Sequence, residues 1–394
     1  MNEGKTIFSQ IMNFVPKNIF DKYVKQYKGN KHVRTFSCWD QFLSLAFAQL
    51  TYRESLRDIE TCLRSKSEKL YHMGIKGNVS RSNLSRANKF RDWRIFAQLA
   101  NHLINEALSL YAKDDLIYKE LDNALYALDS TTIDLCLSLF PWAKFRKHKS
   151  AVKVHTLLDI RTSIPTFVHI TSARVHDVNI LDIISIEPSA IYIIDKGYID
   201  FERLFDLNNK NAFFITRAKN NLKSKRIYSH DVSKFDNIKY DQTIKLTGIK
   251  SSLLYPGHIR KIKFVDKEND KELIFLTNNF SLTSETVSNL FKDRWKIELF
   301  FKWIKQHLRI KSFYGTSENA IKTQIWVAIS TYVLIAIIKK KLKISDSLYT
   351  ILQILSINIF EKSYINQLLN FKTNTNETTP ISNQLELFAL RAGQ

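Results

Sequence analysis

The chain has 394 residues, too many for one simple core, and with 44% hydrophobic and 25% charged residues it has the balance of a globular protein, not a disordered or fibrous one. Its 59 Lys and Arg against 38 Asp and Glu leave a net charge of +21, which points to a polyanionic partner without separating DNA, RNA and an anionic membrane. Cys38, Cys62 and Cys136 are odd in number and lack CxxC spacing, which argues against a disulfide framework and a structural zinc site.

The opening MNEGKTIFSQ lacks the basic-then-apolar pattern of a secretion signal, so a cytoplasmic location is expected. Residues 1–115 read as helical. Phe8, Ile11 and Phe14, then Phe20, Tyr23 and Val24, recur at helical spacing, and Trp39 to Leu50 continues it. Ser55 with Asp58 has the form of a capping box. A turn with Gly74, Gly77 and Asn78 leads into SRSNLSRANKF, where Ser80 can cap a helix displaying Arg81, Asn83, Arg86 and Lys89. Helix, glycine turn and basic helix outline a helix-turn-helix with Arg81 and Arg86 as candidate DNA contacts, although a plain surface helix of a bundle fits the same residues.

From Leu121 the period changes. NALYALDS is a nearly continuous apolar run ending at Asp129, the pattern of a strand buried on both faces. AVKVHTLLDI (151–160) and IPTFVHITSA (164–173) add two strands, VHDVNILDII reads as a helix, and AIYIIDKGY (190–198) is a second buried strand ending at Asp195. The helix FERLFDL and the strand AFFITRA (212–218) complete an α/β fold in which helices cover a mixed sheet. Between 219 and 280, RIYSHD, QTIKLTG, HIRKIKFVD and KELIFLTNN alternate as short strands, with Glu268, Asn269 and Asp270 as a hairpin turn, and read as an inserted β subdomain.

Thr283 to Leu308 reads as one long helix, capped by Thr283 or Ser284 and free of Pro and Gly. Leu290, Ile297, Phe301, Ile304 and Leu308 fall on one side and predict a buried face, with Phe291, Arg294, Glu298 and Lys305 along its border. Taken alone, Arg294, Glu298 and Lys302 read as ordinary i,i+4 ion pairs on a solvated face. Beyond this helix, the apolar run Ile325 to Ile338 is too short to cross a bilayer and predicts a buried helix, so no membrane partner is expected. The tail from NFKTNTNE onward is polar.

Two aspartates change the weight of Glu298. Asp129 and Asp195 each follow a wholly apolar strand, where an ionised carboxylate is costly unless a cation accompanies it. If the strands are neighbours, both carboxylates emerge at one edge of the sheet, and Glu298 on a helix packed there completes a set of oxygen ligands. A pair of Mg2+ ions about 3.5–4 Å apart suits phosphoryl transfer at such a site. Around it, Lys149 and Lys153 follow Asp129, Arg217 ends a strand, and Lys292 to Lys311 carries seven Lys or Arg, all candidate phosphate contacts. His176-Asp177 reads as a structural hydrogen-bonding pair.

ALDSTT around Asp129, DKGY from Asp195, and the line Arg294, Glu298, Lys305 resemble the DDE transposases of bacterial insertion sequences. The nearest group is the insertion-sequence-four family, whose signature is Tyr, Arg, Glu and Lys at spacings that map onto Phe291, Arg294, Glu298 and Lys305. Phe291 stands where that signature has Tyr, so a hydroxyl contact to DNA is lost while aromatic packing remains. FSCWDQFLSLAFAQLTYRESLRDIE with LYHMG also resembles the leading domain of one branch of these enzymes.

The resemblance implies a ribonuclease-H-like core holding Asp129, Asp195 and Glu298 as catalytic and metal ligands, with two Mg2+ ions for which Mn2+ can substitute. It implies cleavage of double-stranded DNA at terminal inverted repeats, joining to target DNA by cut-and-paste, in some members through a hairpin, and a homodimer in the synaptic complex. A nucleoid-associated cytoplasmic protein of bacterial origin follows. The expected division is a helical DNA-binding domain at 1–115, the first part of the catalytic core at 116–218, a β insertion at 219–280, core completion with Glu298 at 281–345, and a helical segment and tail at 346–394. Two alternatives stay open: a non-catalytic DNA-binding repressor or inactive element copy, and a ribonuclease-H-like nuclease without strand transfer.

Overall fold

The computed structural model describes residues 4–76, 79–112, 120–267, 270–307 and 313–369. The apolar runs become the strands β1 (Leu125–Leu135), β2 (Lys144–Arg146), β3 (Lys149–Asp159), β4 (Pro165–Ser172), β5 (Ile191–Ile194) and β6 (Phe213–Arg217). The alternating segments after them become β7 (Ser224–His230), β8 (Ile238–Leu246), β9 (His258–Asp266) and β10 (Lys271–Thr277). One sheet holds them all in the order β2-β3-β1-β5-β6-β10-β9-β8-β7, with β4 also on β3. The steps from β1 to β5 and from β5 to β6 are parallel and the others antiparallel. A meander of β1, β3 and β4 extended by two parallel strands is the expected ribonuclease-H-like core of a mixed α/β fold. All four residues of β5 are buried, as a central parallel strand requires.

Three local readings need correction. β1 does not end at Asp129. Its parallel partner β5 stops at Ile194, but its antiparallel partner β3 carries the ladder on to Leu135 opposite Ser150. The segment VHDVNILDII forms only a 3-10 turn over Asp177–Asp182, because Val178, Ile180, Ile183 and Ile184 are β-branched and support a longer helix poorly. The strands of 219–280 do not stand apart: β10 pairs with β6, and β9, β8 and β7 continue the core sheet outward. Glu268 and Asn269 of the expected hairpin turn lie outside the described residues.

The N-terminal helices are α1 (Ile7–Met12), α2 (Lys17–Gln26), α3 (Cys38–Leu50), α4 (Leu56–Arg64), α5 (Ser67–Leu70), α6 (Arg81–Phe90) and α7 (Arg94–Tyr111). Ser55 accepts from Asp58 N and Ser80 from Asn83 N, so both helices are capped, but the expected Ser55–Asp58 box is only half made because Asp58 Oδ2 accepts from Glu54 N; the reciprocal box is that of Ser37 with Asp40. Gly74, at φ +82°, supplies the left-handed turn after α5; Gly77 and Asn78 lie outside the described residues. Later come α8 (Phe201–Asn209), α9 (Ile249–Leu254), α10 (Ser284–Asp293), α11 (Trp295–Lys302), α12 (Glu318–Lys341), α13 (Leu348–Asn358) and α14 (Ile365–Leu369). The polar tail beyond Leu369 lies outside the described residues.

By length and composition α12 is apolar enough to cross a membrane, yet 94% of its most apolar window is buried inside the protein, against α7, α3, α6 and α13. Its Ser330 and Thr331 hydroxyls donate to Trp326 O and Val327 O within the helix, which satisfies those two buried groups, whereas Thr323 Oγ1 and Trp326 Nε1 are buried without a hydrogen-bond partner. Distant segments join in the helical body: Ile7 N donates to Glu361 O (2.7 Å) and Phe8 N to Ile359 O (3.1 Å). Gln10 adds bonds to Ser363 O (2.7 Å) and from Ile365 N (3.1 Å).

The helix expected over Thr283 to Leu308 is capped by Thr283 as predicted, but is divided. At Arg294 the backbone tightens to i→i−3 bonds, Arg294 N to Phe291 O and Ile297 N to Arg294 O, which separates α10 from α11. A π turn, Trp303–His307, follows α11, and Leu308 lies outside the described residues. Leu290, Ile297, Phe301 and Ile304 are all buried, as their spacing predicted.

Candidate active site

Side chains alternate across a strand, so position along β1, β5 and β6 decides which face each presents. The core beneath the helical body takes Ala127, Ile193 and Ile215, whereas Leu128, Ile194 and Phe214 belong to the opposite core. Two residues on from Ala127, Ile193 and Ile215 stand Asp129, Asp195 and Arg217, which therefore share the face toward the helical body. Register completes the placement. Leu128 pairs with Ile194 and Ile194 with Thr216, so the next residues, Asp129, Asp195 and Arg217, stand side by side across three strands. Arg217 in turn pairs with Phe275 on β10.

The helices α10 and α11 close over this row. The Phe291 ring lies 4.8 Å from the Phe275 ring, with the Arg217 and Arg294 guanidinium carbons 5.8 and 5.7 Å from its centre. Arg294 Nη1 donates to Asp129 Oδ2 at 3.0 Å and Nη2 to Glu298 Oε1 at 2.5 Å, so one guanidinium bridges the strand carboxylate and the helix carboxylate. Asp195 Oδ1 accepts from Arg217 Nη2 at 2.7 Å. The i,i+4 pair of Arg294 with Glu298 was legible in the sequence, but the pairs of Arg294 with Asp129 and of Arg217 with Asp195 were not, because contacts between distant segments are not local.

Electrostatics separate the two aspartates. Burial pushes the Asp129 carboxyl up, and the nearby charges of Asp195 and Glu298 add to the push against the Ser130 N–H and Arg294. Burial also acts to raise Asp195, but the hydrogen bond and charge of Arg217, joined by the Lys196 N–H and the charge of Arg294, outweigh it and hold that carboxyl below the usual carboxylate range. Beside Asp129 and Glu298 opens a cleft of about 310 Å3, lined also by Thr131, Phe301, Lys302, Lys305 and Gln306. Three carboxylates with no soft ligand suit a hard divalent cation. Among the described residues, however, no three His, Cys, Asp or Glu side chains stand close enough to form a ready metal cage. Arg294 lies between two of the three candidates.

Residues 121–334, more than half of the chain, match the family described as transposase DDE domain. The chain belongs to that family. Residues 3–76 match a second family, described as a domain of unknown function, DUF4372. The Sinorhizobium fredii protein named as transposase y4zB is 33% identical over 259 residues, covering 64% of this chain and 70% of that protein. A protein of Geobacillus stearothermophilus, named as transposase for insertion sequence element IS5377, is 29% identical over 213 residues, 54% of this chain and 55% of its own. A Synechocystis protein named as transposase for insertion sequence element IS4SA is 25% identical over 331 residues, 81% of this chain and 88% of its own.

On the far side of the sheet, this DDE transposase carries a polar network that sequence reasoning left mostly unread. Ser130 Oγ donates to Asp177 Oδ1 at 2.6 Å, and Lys153 Nζ lies 3.1 Å from the same oxygen while donating to Val175 O. His155, fully buried and opposite Ser130, bonds Thr171 through Nε2; burial holds its pKa down at about 4. Asp177 thus takes its bonds from Ser130 and Lys153 on neighbouring strands and not from the adjacent His176, the partner expected of it. Lys153, proposed as a DNA contact, belongs to this network with its side chain only 15% exposed. Its signal was the i,i+2 spacing of Lys153 and His155 on an otherwise apolar strand.

The remaining candidates lie farther out. Lys149 is exposed at the start of β3, in the β2–β3 hairpin with Lys144, Arg146 and Lys147. Lys305 is half-buried and lines the cleft. Arg81 and Arg86 are exposed on α6 together with Asn83 and Lys89, while Leu84 and Ala87 turn inward, and α6 packs against α4.

Proposed function

We propose that this chain cleaves double-stranded DNA at the terminal inverted repeats of an insertion sequence and joins the freed 3′-OH to target DNA. In this reading Asp129, Asp195 and Glu298 hold two Mg2+ ions, with Mn2+ as the substitute. The observation that carries it is the side-by-side register of Asp129 and Asp195 with Glu298 brought to Asp129 through one guanidinium. Bound there, the metal supplies activation of the attacking oxygen and stabilisation of the leaving one.

The chain's own residues supply position and field. Lys302 and Lys305 put positive charge on the cleft wall beside Glu298, where a DNA phosphate is attracted. The sheet fixes Asp129 and Asp195 on rigid backbone, and the buried faces of α10 and α11 fix Glu298 above them. Arg81, Arg86 and Lys149 are exposed cations suited to grip the flanking duplex, and a homodimer on paired ends, with or without a hairpin intermediate, belongs to the same reading.

The test is incubation with duplexes carrying the element's own flanking repeats and Mg2+. Nicked, hairpinned or joined products are expected, and Asp129→Ala should abolish cleavage while leaving end binding within a few-fold. Equal cleavage by that variant rejects the assignment. The separation of Asp129 from Glu298 by Arg294 favours one rival, a DNA-binding repressor or inactive copy, which predicts binding that is salt-sensitive, indifferent to Mg2+ and without products. Cleavage without joined products would mark a nuclease instead.

A further inference from the structure

Arg294 occupies an unusual place for a residue beside a phosphate cleft. Its fork points at acids: Nη1 is 3.0 Å from Asp129 and Nη2 is 2.5 Å from Glu298, with the side chain only 13% exposed. Its third nitrogen, Nε, is buried without a hydrogen-bond partner. The pose is therefore held by two charge-assisted bonds and the face of Phe291, not by full satisfaction of the guanidinium. Asp195 feels the Arg294 charge but takes its hydrogen bond from Arg217. Only a planar fork spans two carboxylates in this way, which a lysine cannot do.

We infer that Arg294 is an internal stand-in cation: it and a divalent ion are alternative occupants of the space between Asp129 and Glu298, and DNA phosphate decides between them. The inference rests on reading Asp129 and Glu298 as metal ligands. Without DNA the guanidinium neutralises both acids and opposes metal entry. A phosphate arriving in the cleft, drawn by Lys302 and Lys305, offers the guanidinium an equivalent bidentate partner and frees the two carboxylates. DNA then strengthens metal binding, and by linkage metal strengthens DNA binding by the same factor. Asp195, whose own arginine is on the neighbouring strand, lies outside this exchange. The device keeps the site from loading fully until a strand is in place.

The experiment is an equilibrium Mn2+ titration of the full chain, followed by the paramagnetic resonance of free Mn2+, so that no turnover is read. It is run without DNA and with an element-end duplex already cut at the junction and closed by a 3′-dideoxy nucleotide. Wild-type protein should bind Mn2+ at least about tenfold more tightly with the duplex, and this comparison requires no variant to fold. Arg294→Gln should bind Mn2+ without DNA at least about tenfold more tightly than wild type and lose the DNA-induced gain. Lys292→Gln, which removes the same charge from the neighbouring helix, should do neither. Wild-type affinity indifferent to DNA, or equal gains in Arg294→Gln and Lys292→Gln, would overturn the inference. Asp129→Asn separates the two levels. If it binds Mn2+ as wild type does, the metal-site reading fails and takes the inference with it; if its binding is lost while Arg294→Gln matches wild type, only the inference fails.

Discussion

The ion pair of Arg260 on β9 with Asp241 on β8 offers the sharpest quantitative test of how the outer strands of the sheet support the site. Arg260 Nε lies 2.9 Å from Asp241 Oδ1 and Nη2 2.5 Å from Oδ2, with the two side chains 7% and 3% exposed. Nη1 reaches on to Leu282 O at 2.5 Å and Asn279 O at 3.3 Å, the loop that feeds directly into the Thr283 cap of α10. Arg260→Met leaves Asp241 buried without its cation, a change that costs about 3–5 kcal/mol. At roughly 2.1 cal/mol/K per residue, cooperative unfolding of 394 residues has an entropy near 0.8 kcal/mol/K, so the midpoint should fall by about 4–6 °C. Adding Asp241→Leu removes the stranded charge and should restore most of the loss. Circular dichroism melts of the three proteins measure both steps. A single variant within 1 °C of wild type, or a double variant as damaged as the single, would refute the reasoning.

Other expectations follow from the same geometry. Phe291→Leu keeps an apolar side chain against Phe275 but removes the ring between Arg217 and Arg294; it should lower stability by about 1–2 kcal/mol in urea unfolding. His155 stays neutral in the folded protein down to about pH 4, while the unfolded chain protonates it near 6.5. The unfolded state therefore binds the extra proton, and stability falls as pH drops through that window, by up to about 3 kcal/mol. His155→Gln should flatten this part of the urea-midpoint profile, and an unchanged slope would count against it. Arg81→Ala and Arg86→Ala should each weaken duplex binding and reduce the slope of log K against log salt by about one, read by fluorescence anisotropy at several salt concentrations.

What could be read early were features with a local period. Apolar runs located β1 and β5, and the 3.6-residue spacing of Leu290, Ile297, Phe301 and Ile304 marked the buried face beneath Glu298. Asp129 and Asp195 stood out because a carboxylate after a wholly apolar strand needs a partner. What stayed hidden depends on pairing between distant segments. The contact of Asp195 with Arg217 requires the parallel register of β5 with β6, and the bridge from Asp129 to Glu298 requires α11 to lie across β1. Lys153 reads as a surface cation because, although its i,i+2 spacing with His155 marks a shared polar face, its partner Asp177 comes from a segment 24 residues on. The continuation of β1 past Asp129 was missed for a similar reason: Thr131, Thr132 and Asp134 read as loop until β3 pairs with them.

The hydrogen bonds from Ile7 and Phe8 to the carbonyls of Glu361 and Ile359 set a condition on synthesis. A ribosome delivers α1 about 350 residues before the partners of its N–H groups, so the helical body stays open, with apolar surface of α3 and α7 uncovered, until α12 and the segment after α13 have emerged. Nascent chains in this state are vulnerable to aggregation and proteolysis. A chain cut before Ile359 lacks the carbonyls that receive the Ile7 and Phe8 N–H groups, so the helical body is left without this closure and is expected to be more easily unfolded and proteolysed.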